Sequence, residues 1–439
     1  MAEDADVVVI GAGAAGLAAA SRLSAAGLRV LLLEARRRVG GRILTLRAAG
    51  CPLPVELGAE FVHGTAPESW NLIRHAGLSV LQAGEHHLEA AGGRVREAPG
   101  FQGTLESLVE LAEREPDDQS VAELLPRLGP ADQDRAELVR RYVEGFHAAE
   151  LDRASAKAVA RSERGSGAGG CPAFRILDGY DALPDALRGR LGVGAELRLD
   201  ARVTLVRWSR GRVEVTARSS LRGAEPLGII ARAAVVTLPL GVLKGDGAAT
   251  PRFDPEPRGK RAALERLEMG PALRLVLRFR EVWWDDAVRA LGDEPLAFVH
   301  LPEAPIPTWW APAPVRTATL TGWAGGPAAA RFAGRGTHAL VNAGLDALAG
   351  AFGASRGRLD ELLVAAYSHD WSADPFACGA YSYVLAGGLP AQAELARPVE
   401  DTLFYAGEAT HTEGEHASVH GAIATGDRAA AELLAALGR

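Results

Sequence analysis

A short β-branched run at residues 6–10 leads into Gly11, Gly13 and Gly16, and then into an Ala- and Leu-rich stretch at 14–26 that ends at Gly27. This spacing, G-x-G-x-x-G between a strand and a helix, restricts the fold more than any other feature of the chain. It lets a pyrophosphate approach bare backbone at a helix N-terminus, where amides and the helix dipole favour negative charge. A second apolar run at 28–33 closes on Glu34, whose carboxylate is placed to accept both hydroxyls of a ribose. Strand, glycine turn, helix and strand make one β-α-β unit of a doubly wound sheet. The unit implies a dinucleotide and leaves open whether it carries nicotinamide or flavin.

The 439 residues, 48% hydrophobic and 23% charged, exceed what one compact core accommodates, so two domains are expected. A formal net charge of -7 leaves no basic excess to neutralise phosphates. That argues against nucleic acid as a partner and is compatible with a cationic ligand. Cys51, Cys171 and Cys378 are odd in number and widely spaced, which is neither a disulfide framework nor a zinc pattern. The first strand follows Met1 too closely for an export signal, and no apolar run reaches about 18 residues without interruption. A soluble, cytoplasmic protein without a membrane partner is expected, of undetermined oligomeric state.

Further along, residues 71–164 read as a helical insertion, with charged helices such as 121–128 and 136–146. Strand-like alternation returns at 197–206 and 212–217, followed by an apolar run at 233–240 and tryptophan-rich strands over 274–323. A strand at 402–406 and a helix at 419–437 end the chain. No internal repeat or linker separates these parts, so the domains are expected to interleave. A dinucleotide-binding domain takes residues 1–72, 176–265 and 374–439, and a substrate-binding domain takes 73–175 and 266–373.

The turn Glu34-Ala35-Arg36, continued by Val39-Gly40-Gly41-Arg42, resembles the second phosphate-contacting turn of glutathione-reductase-like FAD proteins. Phe404-Tyr405-Ala406-Gly407-Glu408 resembles their C-terminal motif. The resemblance implies non-nicotinamide chemistry with FAD as cofactor, held by Gly11, Gly13, Ala14, Ala15, Gly16, Glu34, Ala35, Arg36, Gly41, Arg42, Gly407 and Glu408. A helix starting at Ser418 and Val419 would point its positive end at the charge a reduced flavin develops. The fold class that follows is α/β: a glutathione-reductase-like FAD-binding (Rossmann-type) domain interleaved with an α+β substrate domain.

Four stretches extend the resemblance over nearly the whole chain: residues 56–64, 237–244, 371–383 and 407–421. They are similar to the flavin-containing amine oxidases, in the branch of polyamine oxidases, spermine oxidases and lysine-specific histone demethylases. The resemblance implies that Val203 holds the adenine through its backbone. It also implies that Gly58, Ala59, Glu60 and Phe61 line the isoalloxazine, with Trp371 among the cofactor contacts. Tyr381 corresponds to the aromatic that walls the amine channel, His63 to a pocket histidine, and Ser418 stands where monoamine oxidases carry a second aromatic. Ala380 occupies the position of their flavin-linking cysteine, so attachment is expected to be non-covalent. Arg274 occupies the place of the lysine that holds a water near flavin N5. His416 and His420 have a metal-like spacing and no evident third ligand, so no metal is expected.

Each of these residues has a plainer reading. Tyr381 fits an ordinary strand tyrosine, and His63 a structural histidine. Leu273, Leu275, Leu277 and Phe279 alternate with Arg274, Val276 and Arg278, which places Arg274 on the solvated face of a half-buried strand. The expected activity is oxidation of an amine C–N bond by hydride transfer to flavin N5. It gives an imine and then an aldehyde, and dioxygen is reduced to hydrogen peroxide. Three alternatives stand beside it: an L-amino-acid oxidase using Arg274 for the substrate carboxylate, a flavin dehydrogenase or desaturase, and a flavin-binding module without turnover.

Overall fold

Apolar runs without polar alternation mark strands covered on both faces. Val7–Ile10, Val30–Leu33 and Ala233–Val236 are such runs, and every residue in them is buried. They form the centre of a five-stranded sheet ordered Ala195–Arg198, Val30–Leu33, Val7–Ile10, Ala233–Val236, Leu403–Tyr405, with all neighbours parallel. The computed structural model describes residues 3–98, 102–128, 133–166, 171–221, 223–289, 291–292 and 294–439.

Side chains alternate across this sheet. Val7 and Val9 pack with the helices Ala14–Ala25 and Val419–Ala436. Val8 and Ile10 pack with Val203, Val206 and Val213 of an antiparallel sheet built from Arg202–Ser209, Arg212–Arg218 and Leu227–Ala231. The two helices meet backbone to backbone, because a Cβ on Gly426 would lie 2.2 Å from the Ala15 carbonyl oxygen. The first glycine turn and the last helix are thereby locked together.

A second sheet has seven strands, ordered Leu363–Ser368, Ala272–Phe279, Thr319–Gly325, Thr308–Trp310, Phe298–His300, His87–Ala91, Arg94–Glu97. Leu275, Leu277 and Trp309 bury one of its faces against the helix Gly336–Phe352. The opposite face carries Arg274, Trp310 and Trp323. Helices Gln102–Arg114, Gln133–Phe146 and Ala156–Ser166 close over the region with an apolar cluster of their own.

Two expectations need correction. The segment 71–164 is not wholly helical, since it contributes the strands Val80–Gln82, His87–Ala91 and Arg94–Glu97. Gly92 and Gly93 both take positive φ, 56° and 77°, which is the two-residue turn whose twist matches a hairpin. Leu88 and Ala90 then face the core with period two. The alternation at 197–206 is two strands rather than one. Asp200, at φ 54°, breaks it into Ala195–Arg198 at the edge of the parallel sheet and Arg202–Ser209 in the antiparallel one.

The glycine turn yields a test that separates folding from binding. A Cβ on Gly16 would lie 1.9 Å from the Gly11 carbonyl oxygen, whereas one on Gly13 meets nothing within 4 Å. Gly16→Ala is expected to lower the melting temperature of cofactor-stripped protein by roughly 5 °C or more. Gly13→Ala should leave it within about 1–2 °C of wild type. Equal melting temperatures for the two variants would contradict the turn geometry.

Candidate active site

The cradle is built from two facing glycine turns. Gly13 begins the helix Ala14–Ala25 with no side chain capping it, and a Cβ on Gly13 would meet nothing within 4 Å, so the helix start is left open there. Gly41, at φ 59°, approaches until a Cβ there would lie 3.5 Å from Gly13 Cα. Arg38 holds this second turn closed by donating to the carbonyls of Val39, Gly41 and Ile43. Glu34 is buried at the mouth, its two carboxylate oxygens each accepting a backbone amide at 2.8 Å, from Ala12 and Arg36. Burial raises its carboxyl above the ordinary value, and the two amides oppose that shift.

Next to Glu34, the chain at Val203 carries an irregularity in strand register, and Ala201 donates to the Glu34 carbonyl. Beyond Ala35, Arg36 pairs with Asp374 at 2.5 Å and lies over the Phe376 ring. Burial opposes ionisation of Asp374, but His369 and Arg36 outweigh it and bring the carboxyl down to about 2. Trp371, buried one turn away, donates to the Leu57 carbonyl at 2.8 Å, just before Gly58 and Ala59. Gly58 is required by contact, since a Cβ there would lie 1.9 Å from the Arg42 carbonyl oxygen.

Arg42 and Glu408 join the two ends of the chain at 2.9 Å across 366 positions. Glu408, next to Gly407, also accepts from the Ser382 hydroxyl at 2.6 Å and the Ala417 amide at 3.0 Å. Burial works against its charge, and Arg42 with Ser382 outweighs it, so the carboxyl lies below its ordinary value. Ser418 caps the helix that begins at Val419: its hydroxyl accepts from the Gly421 amide and donates to the Glu415 carbonyl. Its observed contacts are those of a cap. The free space over Gly13, the uncapped helix start, the buried Glu34 acceptor and the Arg42–Glu408 link fit a flavin dinucleotide.

Beside the cradle lies a ring of aromatic side chains. Phe61 contacts Trp310 and His63 at 5.8 Å each, Trp310 contacts Trp323 at 6.5 Å, and Trp323 stacks on Tyr381 at 6.5 Å and 3°. Phe146 closes the ring, meeting His63 edge-on at 6.1 Å while its carbonyl accepts from the Tyr381 hydroxyl at 2.7 Å. Burial, with His420 beside it, pushes the His63 imidazole down to about 4, so it is neutral at physiological pH.

Under this wall sits Glu60. One of its oxygens accepts from Arg175 Nε at 2.8 Å and Trp310 Nε1 at 3.1 Å, and the other from Arg274 Nη1 at 2.8 Å. Burial alone would raise the Glu60 carboxyl, yet the two guanidiniums hold it below its ordinary value. Arg274 is 5% exposed, which overturns the solvated-face reading. The alternation was real, but both faces of its strand are covered, and Arg274 lies between the rings of Trp310 and Trp323.

Thus Glu60, Phe61, His63, Arg274 and Tyr381 are joined in one network of ring and hydrogen-bond contacts, while Gly58 packs against the Arg42 carbonyl instead. Arg175, Phe146, Trp310, Trp323, Ser382 and Asp374 were missed in the sequence. The doublet Trp309-Trp310 was the one available signal: on a strand only one of the pair can face the aromatic ring. Among the described residues no three His, Cys, Asp or Glu side chains gather as a metal site, and no helix is long and apolar enough to cross a membrane.

Two facing glycine turns, a buried carboxylate at a strand end and a ring of aromatic side chains, grouped on a parallel sheet, form an arrangement that fits a dinucleotide-dependent oxidoreductase. Residues 14–434 match the flavin-containing amine oxidoreductases, and the chain belongs to that family. It is an FAD-dependent amine oxidoreductase. Polyamine oxidase 4 of Oryza sativa subsp. japonica is 30% identical over 97% of this chain and 88% of its own length. Lysine-specific histone demethylase 1 homolog 3 of Arabidopsis thaliana is also 30% identical over 98% of this chain, which spans only 30% of that protein. Among solved structures, wild-type putrescine oxidase bound to putrescine superposes with a TM-score of 0.81 at 21% identity, covering 98% of this chain and 99% of the other. Cyclohexylamine oxidase from Brevibacterium oxydans superposes with a TM-score of 0.80 at 23% identity, covering 99% and 100%. At these identities the two structures show a common fold.

Glu34→Ala removes the buried carboxylate at the strand end, and Gly13→Val fills the space above the helix start. Both are expected to lower FAD retention after gel filtration by about tenfold or more, read from the ratio of visible to ultraviolet absorbance. Full occupancy in both variants would refute the cradle.

Stability should fall on mild acidification. Burial pushes His63, His300 and His416 down to about 4 from an ordinary 6.5. Between those values the unfolded chain binds more protons than the folded one, so stability is lost as pH falls through that window. Glu56, raised by burial to about 7, and Glu34, Glu144 and Asp427, raised by burial, act in the opposite sense, while His87 and His411, lowered by burial, add to the loss. A melting temperature that does not drop between about pH 6.5 and pH 4.5 would count against these burials.

Proposed function

We propose that this protein oxidises the C–N bond of a small amine. The ring of aromatic side chains around Tyr381, tied to the cradle by the Arg42 bond to the Ala380 carbonyl, is the observation that carries this reading. FAD, when bound, takes up the hydride lost from the carbon beside nitrogen and passes its two electrons to dioxygen, which becomes hydrogen peroxide. The substrate nitrogen loses a proton, the imine adds water, and a carbonyl compound and an amine or ammonia leave.

The chain's own residues act on the substrate before that step. An alkyl amine with a pKa of about 10.4 is neutral at pH 7.4 only about once in a thousand molecules, a penalty of roughly 4 kcal/mol. Phe61, Trp310, Trp323 and Tyr381 replace water around it, and loss of hydration disfavours the ammonium form. His63, held neutral, adds no repulsion and offers a ring nitrogen to the amine. Tyr381, pinned to Trp323 and to the Phe146 carbonyl, orients the carbon to be oxidised.

A second reading, oxidation of an L-amino acid, draws support from one observation. Arg274 Nε is buried without a hydrogen-bond partner, and a substrate carboxylate would supply one. Anaerobic mixing separates the two. Simple amines are expected to bleach the bound flavin, with carbonyl product and peroxide appearing in equal amounts when oxygen is admitted. Tyr381→Ala should slow bleaching by about tenfold or more with FAD still bound. Bleaching by amino acids alone would favour the second reading.

A further inference from the structure

On the sheet face that carries Arg274 opposite Trp323, the next positions along the strands hold Val276 opposite Thr321 and Arg278 opposite Thr319. Trp310 flanks Thr321 on its other side. Partners on one face of an antiparallel pair lie side by side, so this face runs on past Trp310, away from Tyr381. A cavity of about 60 Å³ opens there. Thr317, Thr319 and Thr321 line one side of it and Glu56, Glu60 and Arg175 another, while Pro52, Pro54, Pro312 and Val276 supply apolar wall. Such a volume admits about four waters or a molecule of a few heavy atoms. Two of the lining side chains, Arg175 and Thr317, are 8% and 7% exposed, and Arg175 Nη2 and Thr317 Oγ1 have no hydrogen-bond partner. A guanidinium nitrogen can only donate, so whatever completes Arg175 must bring an acceptor.

Charge favours an anionic acceptor. Glu60 and Glu56 together balance Arg175 and Arg274, and their oxygens already accept from protein donors: Arg175, Trp310 and Arg274 on Glu60, Thr45 and Tyr180 on Glu56. Arg278 adds a third guanidinium at the edge of the cavity, against Gly50 and across from Thr319. Its Nε is buried without a partner, its Nη1 reaches the Gly50 carbonyl at 3.4 Å, and no carboxylate pairs with it among the described residues. One positive charge is therefore left over with Glu56 ionised. Burial raises the Glu56 carboxyl to about 7, and its protonation increases that excess. Of the other acids nearby, Asp181 pairs with Arg47, and Asp178 is exposed, where water and salt screen it. Glu163, with Oε2 buried and unpartnered, stands against Tyr142 and His147 behind Phe146 and does not line this cavity.

We infer that this cavity is a second binding site, separate from the amine site, and that it takes a small monocarboxylate. The carboxylate oxygens accept from Arg175 and the Thr317 hydroxyl, and the short hydrocarbon part lies against the prolines and Val276. Arg278 contributes its field from the edge.

Calorimetric and saturation-transfer NMR titration of the FAD-loaded protein tests the site, with propionate as the probe and propionamide as its neutral isostere. Propionate is expected to bind with a dissociation constant of about 1 mM or below, at least about tenfold tighter than propionamide. Thr317→Val, which removes the hydroxyl donor, should weaken propionate by about tenfold. Arg278→Gln, which removes the unpaired charge, should weaken it by about threefold, with FAD content unchanged in both variants. Saturating propionate should move the benzylamine concentration for half-maximal flavin reduction by less than about twofold. No propionate binding up to about 10 mM, equal affinity for propionamide, or wild-type affinity in both variants would overturn the inference. Direct competition with benzylamine would place the carboxylate beside Tyr381 and overturn it as well, while leaving amine oxidation standing.

Discussion

Glu60 joins three segments that are remote in sequence: the loop after Gly58, the strand that carries Arg175, and the sheet face that carries Arg274 and Trp310. A carboxylate taken out of water is held only if nearby cations and donors replace its hydration. Here two guanidiniums and an indole do so, and each is buried in turn. Removing one member of such a cluster strands the others, which in comparable buried pairs costs about 3–5 kcal/mol. The cradle side and the seven-stranded sheet are therefore tied together at the point where the aromatic side chains meet. The orientation of Phe61, Trp310 and Trp323 follows from where those two guanidiniums must lie.

A second set of buried pairs does for the cofactor cradle what Glu60 does for the aromatic ring. Arg42 to Glu408 and Arg36 to Asp374 each bring an N-terminal turn against a C-terminal segment. The five-stranded sheet has the same character, since its central strand lies between one from the N-terminal unit and one that begins at Ala233. The binding cradle therefore cannot be complete until the chain's end has docked, and the contact of Gly426 with Ala15 sets that docking to within an atom's width. Tyr381 inherits its position from the same arrangement, because Arg42 donates to the Ala380 carbonyl directly before it.

The alternation of residues 273–279 shows where local pattern stops informing. Period two correctly separates Leu275 and Leu277 from Arg274 and Val276, and the leucine face meets a helix. What covers the other face is not encoded in the period. A guanidinium on that face is exposed or buried depending on whether another segment brings a carboxylate to it, and Glu60 comes from 214 positions away. The hairpin at His87–Glu97 was hidden for a related reason, because charged residues on its open face resemble those of a solvated helix.

By itself the sequence determined the β-α-β unit, the glycine turns and a carboxylate, Glu34, at the end of the second strand; the roles of Gly407, Glu408 and Tyr381 came only from resemblance to a family. The unit, the turns and Glu34 rest on short-range requirements: positive φ or close approach at a glycine, and a carboxylate at a strand end. Tertiary structure alone decided that Arg274 is buried, that Arg175 shares Glu60 with it, and that Phe146, Trp310 and Trp323 complete the ring around Tyr381. A side chain's charge state and accessibility depend on which distant segments displace water around it. That is a property of packing, and no local spacing of residues carries it.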